Sequence, residues 1–286
     1  MKKVLVLVLA LILCLGCFAG CSGNNKTDLT KATSLADLKG AKIAAQSGTF
    51  HEQALTQIEG ATTSTYPDFT DLLVALKSGA IDGYIAEEPT AKSVCESDNT
   101  LTYIPLKNND TGFTATAADV GIAVGLKTGS PLRDQINAVL ATITEEQRIA
   151  LMQQCQDLSS GKTVTEFALK SEAPANPVGT LKVGMECAYE PFNWTEVDPS
   201  YGAVAISSEG GGYANGYDVQ IALYVANKLG MKLEIYAIGW ESLIPAVQSG
   251  TVDAIVAGMS PTAEREEEID FTNTYYESNL VVIIKK

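Results

Sequence analysis

A pattern of apolar and polar positions occurs twice in the chain, as LLVALKSGAIDGYIAE at 72–87 and LIPAVQSGTVDAIVAG at 243–258. In each copy, apolar residues at helical spacing end at a Ser-Gly pair, and a short apolar run follows an Asp. This predicts a helix that Gly79 or Gly250 caps in the left-handed conformation, followed by a buried parallel strand. We therefore expect two similar α/β lobes.

The two copies also predict where a ligand would bind. In open α/β sheets, ligands bind beyond the carboxyl ends of the strands. The copies place Glu87 and Gly258 at those ends in their respective lobes. The sequence therefore predicts a binding cleft between the lobes.

Two alternations of strand and helix patterns follow along the chain, separated by a stretch at 158–180 that is rich in Ser, Gly and Pro and predicts a linker. Within 130–157, the start signal Thr144-Glu-Glu-Gln separates two helical patterns. In the first alternation, strands are predicted near 42–46, 62–66, 81–86 and 120–124, and helices near 50–59 and 69–78. In the second, strands are predicted near 181–186, 232–237, 252–257 and 280–285, and helices near 218–229, 241–249 and from 262.

The N-terminus has the pattern of an export signal, with two lysines before an apolar run at 4–18. That run is shorter than the ~18 or more apolar residues of a membrane-spanning helix. The small residues before Cys21 resemble a bacterial lipobox, so we expect residues 1–21 to form a lipoprotein signal peptide, Cys21 to carry a lipid, and 22–33 to form a tether. The alternative is cleavage by an ordinary signal peptidase, since Phe18 replaces the usual aliphatic residue.

Composition and charge narrow the classes of partner. The formal net charge of −14 argues against nucleic acid and against a basic membrane-binding surface. With His51 as the sole histidine, a histidine-based triad or metal cluster is excluded, and we expect His51 at a cleft rim or on the surface. Outside the signal, Cys95, Cys155 and Cys187 have no metal-ligand spacing and allow at most one disulfide. Nucleotide motifs are lacking too, so we expect no cofactor and no metal.

Six motifs carry a resemblance to a known family. They are AQSGTF at 45–50, AEEP at 86–89, VGIAVGLKTGSPLRDQINAVL at 120–140, GMECAYEPFNW at 184–194, ANGYDV at 214–219 and AGMSPTAERE at 257–266. Over 34–286 the chain resembles the extracellular solute-binding proteins of amino-acid ABC transporters. The resemblance implies a two-lobed α/β fold of the periplasmic-binding-protein type II class, with a cleft between the lobes.

The motif order is reversed relative to that family, which suggests a circular permutation in which 158–180 joins the usual C-terminus to the usual N-terminus. By the resemblance, 34–124 forms lobe 2, 125–157 supplies helices that return to lobe 1, and 181–286 forms lobe 1. The new chain ends are then expected to cut one of the two interlobe crossings and loosen the hinge. Alternatives are a remnant of two tandem copies, or two chains that exchange halves in a dimer.

Arg265 is the leading candidate for ligand binding. It falls in the first turn of a helix that Thr262 can cap, where the helix dipole disfavours a cation, so a nearby anion would explain it. The alternative is pairing with the acidic run at 266–268. The resemblance implies that Arg265 grips the α-carboxylate of the ligand, with Gly258 and Ser260 helping.

The resemblance assigns the other candidates as well. Thr49 would meet the same carboxylate from lobe 2, and Glu87 stands where the family usually has an Asp that holds the ligand ammonium. For Thr49 the alternative is a plain helix cap. For Glu87 the alternative is that it and Glu88 merely favour the N-terminus of the helix that opens at Pro89. Tyr189 and Trp240 would flank the ligand side chain, and with Glu186 they weakly favour a polar or cationic one.

The resemblance implies a lipid-anchored receptor on the extracellular face of the bacterial membrane. It would bind a free amino acid and deliver it to an ABC permease and its ATPase, with no catalytic residues. One alternative is an enzyme resembling the cyclohexadienyl dehydratases, which could use Glu87 or Glu186 as its acid. Another is a sensor that signals through a separate membrane protein.

Overall fold

The computed structural model describes residues 28–208 and 210–286. The predicted signal peptide, the lipidation at Cys21 and most of the predicted tether lie outside the described residues. The predicted boundary of the tether at residue 33 is wrong, because residues 28–33 belong to the folded protein. Leu29 and Ala32 are buried in a lobe core. Within the described ranges, no helix combines the length and the apolar character that crossing a membrane requires.

The N-terminal half contains six strands and six α-helices within the described residues. The strands are β1 (Lys42–Gln46), β2 (Thr62–Tyr66), β3 (Gly83–Glu87), β4 (Leu101–Ile104), β5 (Gly121–Ile122) and β6 (Gly125–Leu126). The helices are α1 (Phe50–Ala54), α2 (Phe69–Ser78), α3 (Glu88–Ser97), α4 (Ala117–Val120), α5 (Leu132–Leu140) and α6 (Glu145–Ser159). Thr144 caps α6 through the predicted capping box with Gln147.

The C-terminal half begins after a segment that has neither helix nor strand and packs against α6. Its strands are β7 (Thr180–Met185), β8 (Ala188–Tyr189), β9 (Asn193–Glu196), β10 (Val204–Ala205), β11 (Tyr213–Asn215), β12 (Lys232–Ala237), β13 (Ala254–Ile255), β14 (Asp270–Phe271), β15 (Tyr276–Glu277) and β16 (Leu280–Lys285). Its α-helices are α7 (Tyr217–Lys228), α8 (Leu243–Ser249) and α9 (Ala263–Glu266).

Each lobe contains a five-stranded sheet of the same design. In lobe 2 the strand order is β2-β1-β3-β16-β4, and in lobe 1 it is β12-β7-β13-β6-β14. The first three strands of each sheet are parallel, and the fourth is antiparallel to its neighbours. In both sheets this fourth strand follows a crossing from the other lobe. The expected two-lobed α/β architecture is confirmed.

The repeated sequence pattern corresponds to a repeated structure. Gly79 and Gly250 each end a helix with the same left-handed backbone, φ 79° and ψ 18°. The Asp that follows in each copy, Asp82 or Asp253, accepts a hydrogen bond through its carboxylate from the first strand of its lobe, at Lys42 in lobe 2. The same anchor therefore fixes the helix-to-strand turn in each lobe. Glu87 at the end of β3 and Gly258 after β13 lie at one cleft between the lobes.

The predicted C-terminal boundary of lobe 1 is wrong, because β16 lies in the sheet of lobe 2. Its residues 280–284 are at most 1% exposed. Alternate side chains pack into the cores on the two faces of that sheet. A strand that is apolar on both faces needs a central position in a sheet, and β3 and β4 provide it.

The prediction of a cut crossing is wrong for the same reason. The chain passes between the lobes twice, at 121–126 and at 271–280, and β5 and β15 pair antiparallel where the two crossings meet. The strand predicted at 120–124 is divided, with β5 in this hinge and β6 in lobe 1. A two-stranded hinge therefore replaces the single loosened link that we expected.

Three further features of the structure either differ from the sequence predictions or add to them. The region between β7 and α7, for which the sequence patterns predicted no element, folds as an antiparallel sheet of order β10-β11-β9-β8. These strands are two to four residues long, too short to give a clear periodicity. The segment Ala254–Ile255 is all that forms of the strand predicted at 252–257. Cys95, Cys155 and Cys187 are free thiols.

Candidate functional site

A pocket of about 330 Å³, part of it open to solvent, lies between the two lobes. All eight residues predicted to bind a ligand line it: Thr49, Glu87, Glu186, Tyr189, Trp240, Gly258, Ser260 and Arg265. Five further residues, which the sequence patterns did not single out for binding, line it as well: Gln46, Phe50, His51, Phe69 and Ala257. Their assignment to ligand binding remains a prediction, but the structure brings the predicted residues together.

The sheet edges explain why these residues meet. Gln46 and Glu87 are the last residues of two neighbouring parallel strands of lobe 2, and Glu186 directly follows β7 in lobe 1. Gly258 comes three residues after β13. Since the carboxyl ends of parallel strands share one edge of a sheet, each lobe presents its polar side chains to the other.

Arg265 is buried, with 8% of its surface exposed, although it carries a charge. Nη1 donates to the carbonyl oxygen of Ser260 at 2.9 Å, and Nη2 donates across the cleft to that of Gly48 at 2.8 Å. Burial lowers the pKa of Arg265 to about 10, although nearby glutamates oppose the shift. In the described part of the chain no ion pair involves Arg265, so the alternative of pairing with 266–268 finds no support there.

Gly48 is the residue of lobe 2 that accepts the hydrogen bond of Arg265 across the cleft. Its carbonyl oxygen also accepts from Trp240 Nε1 at 3.2 Å. Its φ is +68°, and a Cβ added there would lie 2.8 Å from a carboxylate oxygen of Glu241. The left-handed backbone favours glycine at this position, whereas the Glu241 carboxylate, at the end of a flexible side chain, can move away from an added Cβ. Thr49 follows it and caps α1, so the predicted capping role of Thr49 is observed.

Glu87 and His51 form a buried pair at the lobe 2 side of the pocket. His51 Nε2 lies 3.1 Å from Glu87 Oε1. Our expectation that His51 lies at a rim or on the surface is wrong, because this side chain is buried and packs edge-on against the ring of Phe69. Its position two residues after the Gly48-Thr49 turn, at the start of a helix that faces the cleft, was the signal that could have found it.

Aromatic rings close the pocket from both lobes. Tyr189 of lobe 1 stacks on Phe69 of lobe 2 with centroids 4.0 Å apart and planes at 15°, and on Phe192 at 5.2 Å. The Tyr189 hydroxyl is buried and has no hydrogen-bond partner among the described residues. Gly258, with φ +63°, lies against this ring, since an added Cβ would be 3.3 Å from it.

Glu186 joins the lobes through a hydrogen bond from Gln46 Nε2, 2.9 Å from its Oε1. Burial raises the pKa of Glu186 to about 7, opposed by this hydrogen bond and reinforced by the charge of Asp68. The carboxyl is therefore poised to change charge near neutral pH. No group of three or more His, Cys, Asp or Glu side chains within 28–208 and 210–286 could hold a metal ion.

Asp218 supports the pocket from behind, and the sequence analysis missed this role. The Tyr275 hydroxyl and Asn193 Nδ2 donate to its carboxylate at 2.7 and 2.8 Å, and the Gly258 backbone lies close enough to lower its pKa. Burial raises the pKa of Asp218 to about 6, and these hydrogen bonds oppose the rise. This network ties the Gly258 loop to the crossing segment that contains Tyr275.

The structure is that of a two-lobed protein with a polar pocket between its lobes. Residues 181–286 match the family of bacterial extracellular solute-binding proteins, family 3. The match covers 106 of the 286 residues, and over this segment the chain is similar to that family.

Individual relatives match over part of their length. The arginine-binding extracellular protein ArtP of Bacillus subtilis is 33% identical over 106 residues, 37% of this chain and 36% of the relative. A probable histidine-binding protein of Campylobacter jejuni is 34% identical over 124 residues, 43% of this chain and 42% of the relative. The chain thus spans about two fifths of the length of these relatives. The crystal structure of AncCDT-1, an ancestral amino-acid-binding protein and precursor of cyclohexadienyl dehydratase, is 32% identical over 33% of this chain and 36% of that one, with a TM-score of 0.27.

Proposed function

We propose that this protein binds a free amino acid between its lobes and delivers it to an ABC transporter. The observation that carries the proposal is the pair of opposite charges in one pocket. Arg265 of lobe 1 is a buried cation whose hydrogen bonds go to carbonyl oxygens, and Glu87 of lobe 2 has a buried oxygen without a partner in the described residues. An α-carboxylate and an α-ammonium complement these two groups.

In this proposal the ligand carboxylate binds the planar guanidinium of Arg265, whose fork suits two parallel hydrogen bonds. The carboxylate replaces the carbonyl of Gly48 as the acceptor for Nη2, and the turn at Thr49 approaches it from lobe 2. Because the contacts come from both lobes, ligand binding favours the closed arrangement over an open one.

The ligand side chain would lie between Tyr189, Trp240 and Glu186. The Glu186 carboxylate accepts from Gln46, an amide that could instead donate to or accept from a polar ligand. A cationic or polar side chain fits this wall best, as the weak preference from sequence suggested. The names of two matched relatives specify arginine and histidine, which agrees with this preference.

We propose further that Cys21 carries a lipid, that the protein sits on the extracellular face of the membrane, and that a permease and its ATPase receive the ligand. We also propose that the chain is circularly permuted. The reversed order of the motifs supports this, and so does the packing of Leu29–Lys31 against β16 and β4. Residues 28–30 and 284–286 line one groove, so the two ends of the described chain lie together in lobe 2.

A dehydratase of the cyclohexadienyl type is the second candidate. The observation that favours it is Glu186, a pocket carboxyl whose pKa of about 7 suits a general acid. Turnover of arogenate or prephenate by the purified protein would support this candidate. Tight amino-acid binding without turnover would support the receptor.

The test of the proposed function is a thermal-shift screen of residues 22–286 against the twenty amino acids, followed by calorimetry on the hits. A ligand at a hundred times its Kd stabilises the native state by about 2.7 kcal/mol. We expect a few hits that Arg265→Ala abolishes and that Arg133→Ala preserves. Arg133→Ala is a matched control because this substitution removes the same charge from a half-exposed site away from the pocket. A folded protein that responds to none of the amino acids would contradict the proposal.

A further inference from the structure

The histidine of the pocket has a contact that the proposed function does not use. His51 Nε2 lies 3.1 Å from Glu87 Oε1, and the two side chains are 7% and 6% exposed. The remaining polar atoms of both groups, His51 Nδ1 and Glu87 Oε2, are buried without a hydrogen-bond partner among the described residues. Leaving a buried polar atom unpaired costs about 1–3 kcal/mol, so each atom favours a ligand that pairs with it.

The protonation state of His51 decides what kind of ligand atom fits. When the imidazole is neutral and its Nε2–H points to the carboxylate of Glu87, Nδ1 is a bare acceptor beside the acceptor Oε2. When the imidazole is protonated, Nδ1 becomes a donor and the positive charge neutralises that carboxylate. With a neutral imidazole the pair has a net negative charge and two free acceptors, which suits a cationic donor. With a protonated imidazole the pair has no net charge and Nδ1 is a donor, so it holds a cationic donor less well.

We infer that neutral His51, together with Glu87, contacts the ammonium group of the ligand, and that a proton on His51 competes with the ligand. This inference rests on the proposed function, because it assumes an amino-acid ligand. It adds a binding residue to the pocket and gives ligand affinity a pH dependence. Binding releases a proton from His51, and affinity falls as the pH falls.

Other charged groups lie near the pair. Each of them either changes its charge in the same pH range or adds a fixed charge near the pair. Glu52 and Glu88 are their sequence neighbours, and Arg265 and Glu186 line the same pocket. Arg265 stays positive, whereas the carboxyl of Glu186 gains a proton near pH 7. The ring of Phe69, packed edge-on against the imidazole, contributes no charge. A Glu186→Gln background removes that carboxyl. Asp218, whose pKa is about 6 and which is influenced by the charge of Glu87, remains, so the His51→Gln variant is needed to separate the contribution of His51.

Because His51 is the sole histidine of the chain, one set of imidazole NMR signals reports this site. Residues 22–286 are prepared without a polyhistidine tag, with isotope-labelled histidine and the Glu186→Gln substitution. The probes are unlabelled L-arginine and L-histidine at saturation. Since linkage is reciprocal, we expect the titration midpoint of His51 to fall when ligand is bound. Calorimetry with L-arginine, whose charge is the same at pH 5.5 and at pH 8, should show weaker binding at pH 5.5. The loss of affinity is at most tenfold, about 1.4 kcal/mol, for each pH unit by which the midpoint falls.

The variant His51→Gln, in the same background, should bind with an affinity that is nearly constant over this pH range. If this variant does not fold, the NMR titration of the labelled protein decides the question alone. A midpoint that stays constant or rises on binding overturns the inference and leaves the proposed function standing. If neither probe nor any of the other amino acids binds at any pH, the proposed function fails and this inference fails with it.

Discussion

The guanidinium carbon of Arg265 lies 5.1 Å from the centroid of the Trp240 ring, and both side chains donate to the carbonyl oxygen of Gly48. One backbone carbonyl of lobe 2 thus receives two donors from lobe 1. A cation over an aromatic face and two converging hydrogen bonds stabilise the contact between the lobes beside the proposed carboxylate site. Trp240 therefore has two separable roles, as a wall of the pocket and as a donor across the cleft.

The substitution Trp240→Phe separates these roles, because it keeps an aromatic face and removes the Nε1–H donor. A net hydrogen bond contributes about 0.5–1.5 kcal/mol, so we expect amino-acid affinity to fall by about two- to tenfold. Calorimetry with the best hit of the screen measures this change. Trp194→Phe is the matched control, since Trp194 Nε1 donates to Glu196 within lobe 1. Equal affinity losses in the two variants would contradict a cross-cleft role for Trp240.

Gly258 combines a backbone constraint with contact to a pocket ring. We expect Gly258→Ala to destabilise the protein by about 1 kcal/mol, because L residues are strained at its φ of +63°. The added methyl group also crowds Tyr189, so ligand affinity should fall at least tenfold. Thermal melts and calorimetry measure the two effects separately.

The control for Gly258 is Gly79→Ala in the matching turn of lobe 2. Its φ is +79°, and an added Cβ would have no heavy atom within 4 Å. This variant should show a similar loss of stability with unchanged affinity. If both variants lose affinity alike, the backbone strain and not the contact with Tyr189 is responsible.

The raised pKa of Glu186 leads us to expect that the stability of the protein depends on pH. Its folded pKa of about 7 lies above the ordinary value for glutamate of about 4.3. Stability from this group is therefore fully present below about pH 4 and declines as the pH rises through 7, since the unfolded chain ionises first. Relative to the parent protein, Glu186→Gln should gain stability between pH 5 and pH 8. Urea unfolding at several pH values measures the difference, and a constant difference would show that the carboxyl does not change its pKa on folding.

Sequence periodicity predicted where helices and strands lie better than it predicted which strands pair with each other in a sheet. The apolar run at 280–285 is a strand as expected, but its pattern contains no information about which sheet it joins. The repeated helix-to-strand pattern located Glu87 correctly at the end of β3, because local capping and burial determine that geometry. Gly258 lies three residues beyond the end of β13, and it lines the same pocket. The His51–Glu87 pair joins two elements far apart in sequence, so spacing could not reveal it.

The proposed circular permutation makes a prediction about connectivity. The ends of the described chain share a groove in lobe 2, and the segment between α6 and β7 connects the halves. We expect a rearranged chain to fold if it begins at Ala173, runs to Lys286, continues through a short Gly-Ser connection to Asp28 and ends at Glu172. This cut falls between exposed residues and keeps the buried Val164 and Leu169.

The rearranged chain retains both interlobe crossings and all the residues that line the pocket. Its midpoint of thermal unfolding should lie within a few degrees of that of the parent, and its amino-acid affinity should be the same. Circular dichroism and calorimetry on the two purified proteins test this directly, and Arg265→Ala in the rearranged chain should again abolish binding. Failure to fold would mean that the present chain order is required for the native structure. Folding without binding would instead show that the ends of lobe 2 influence the geometry of the pocket.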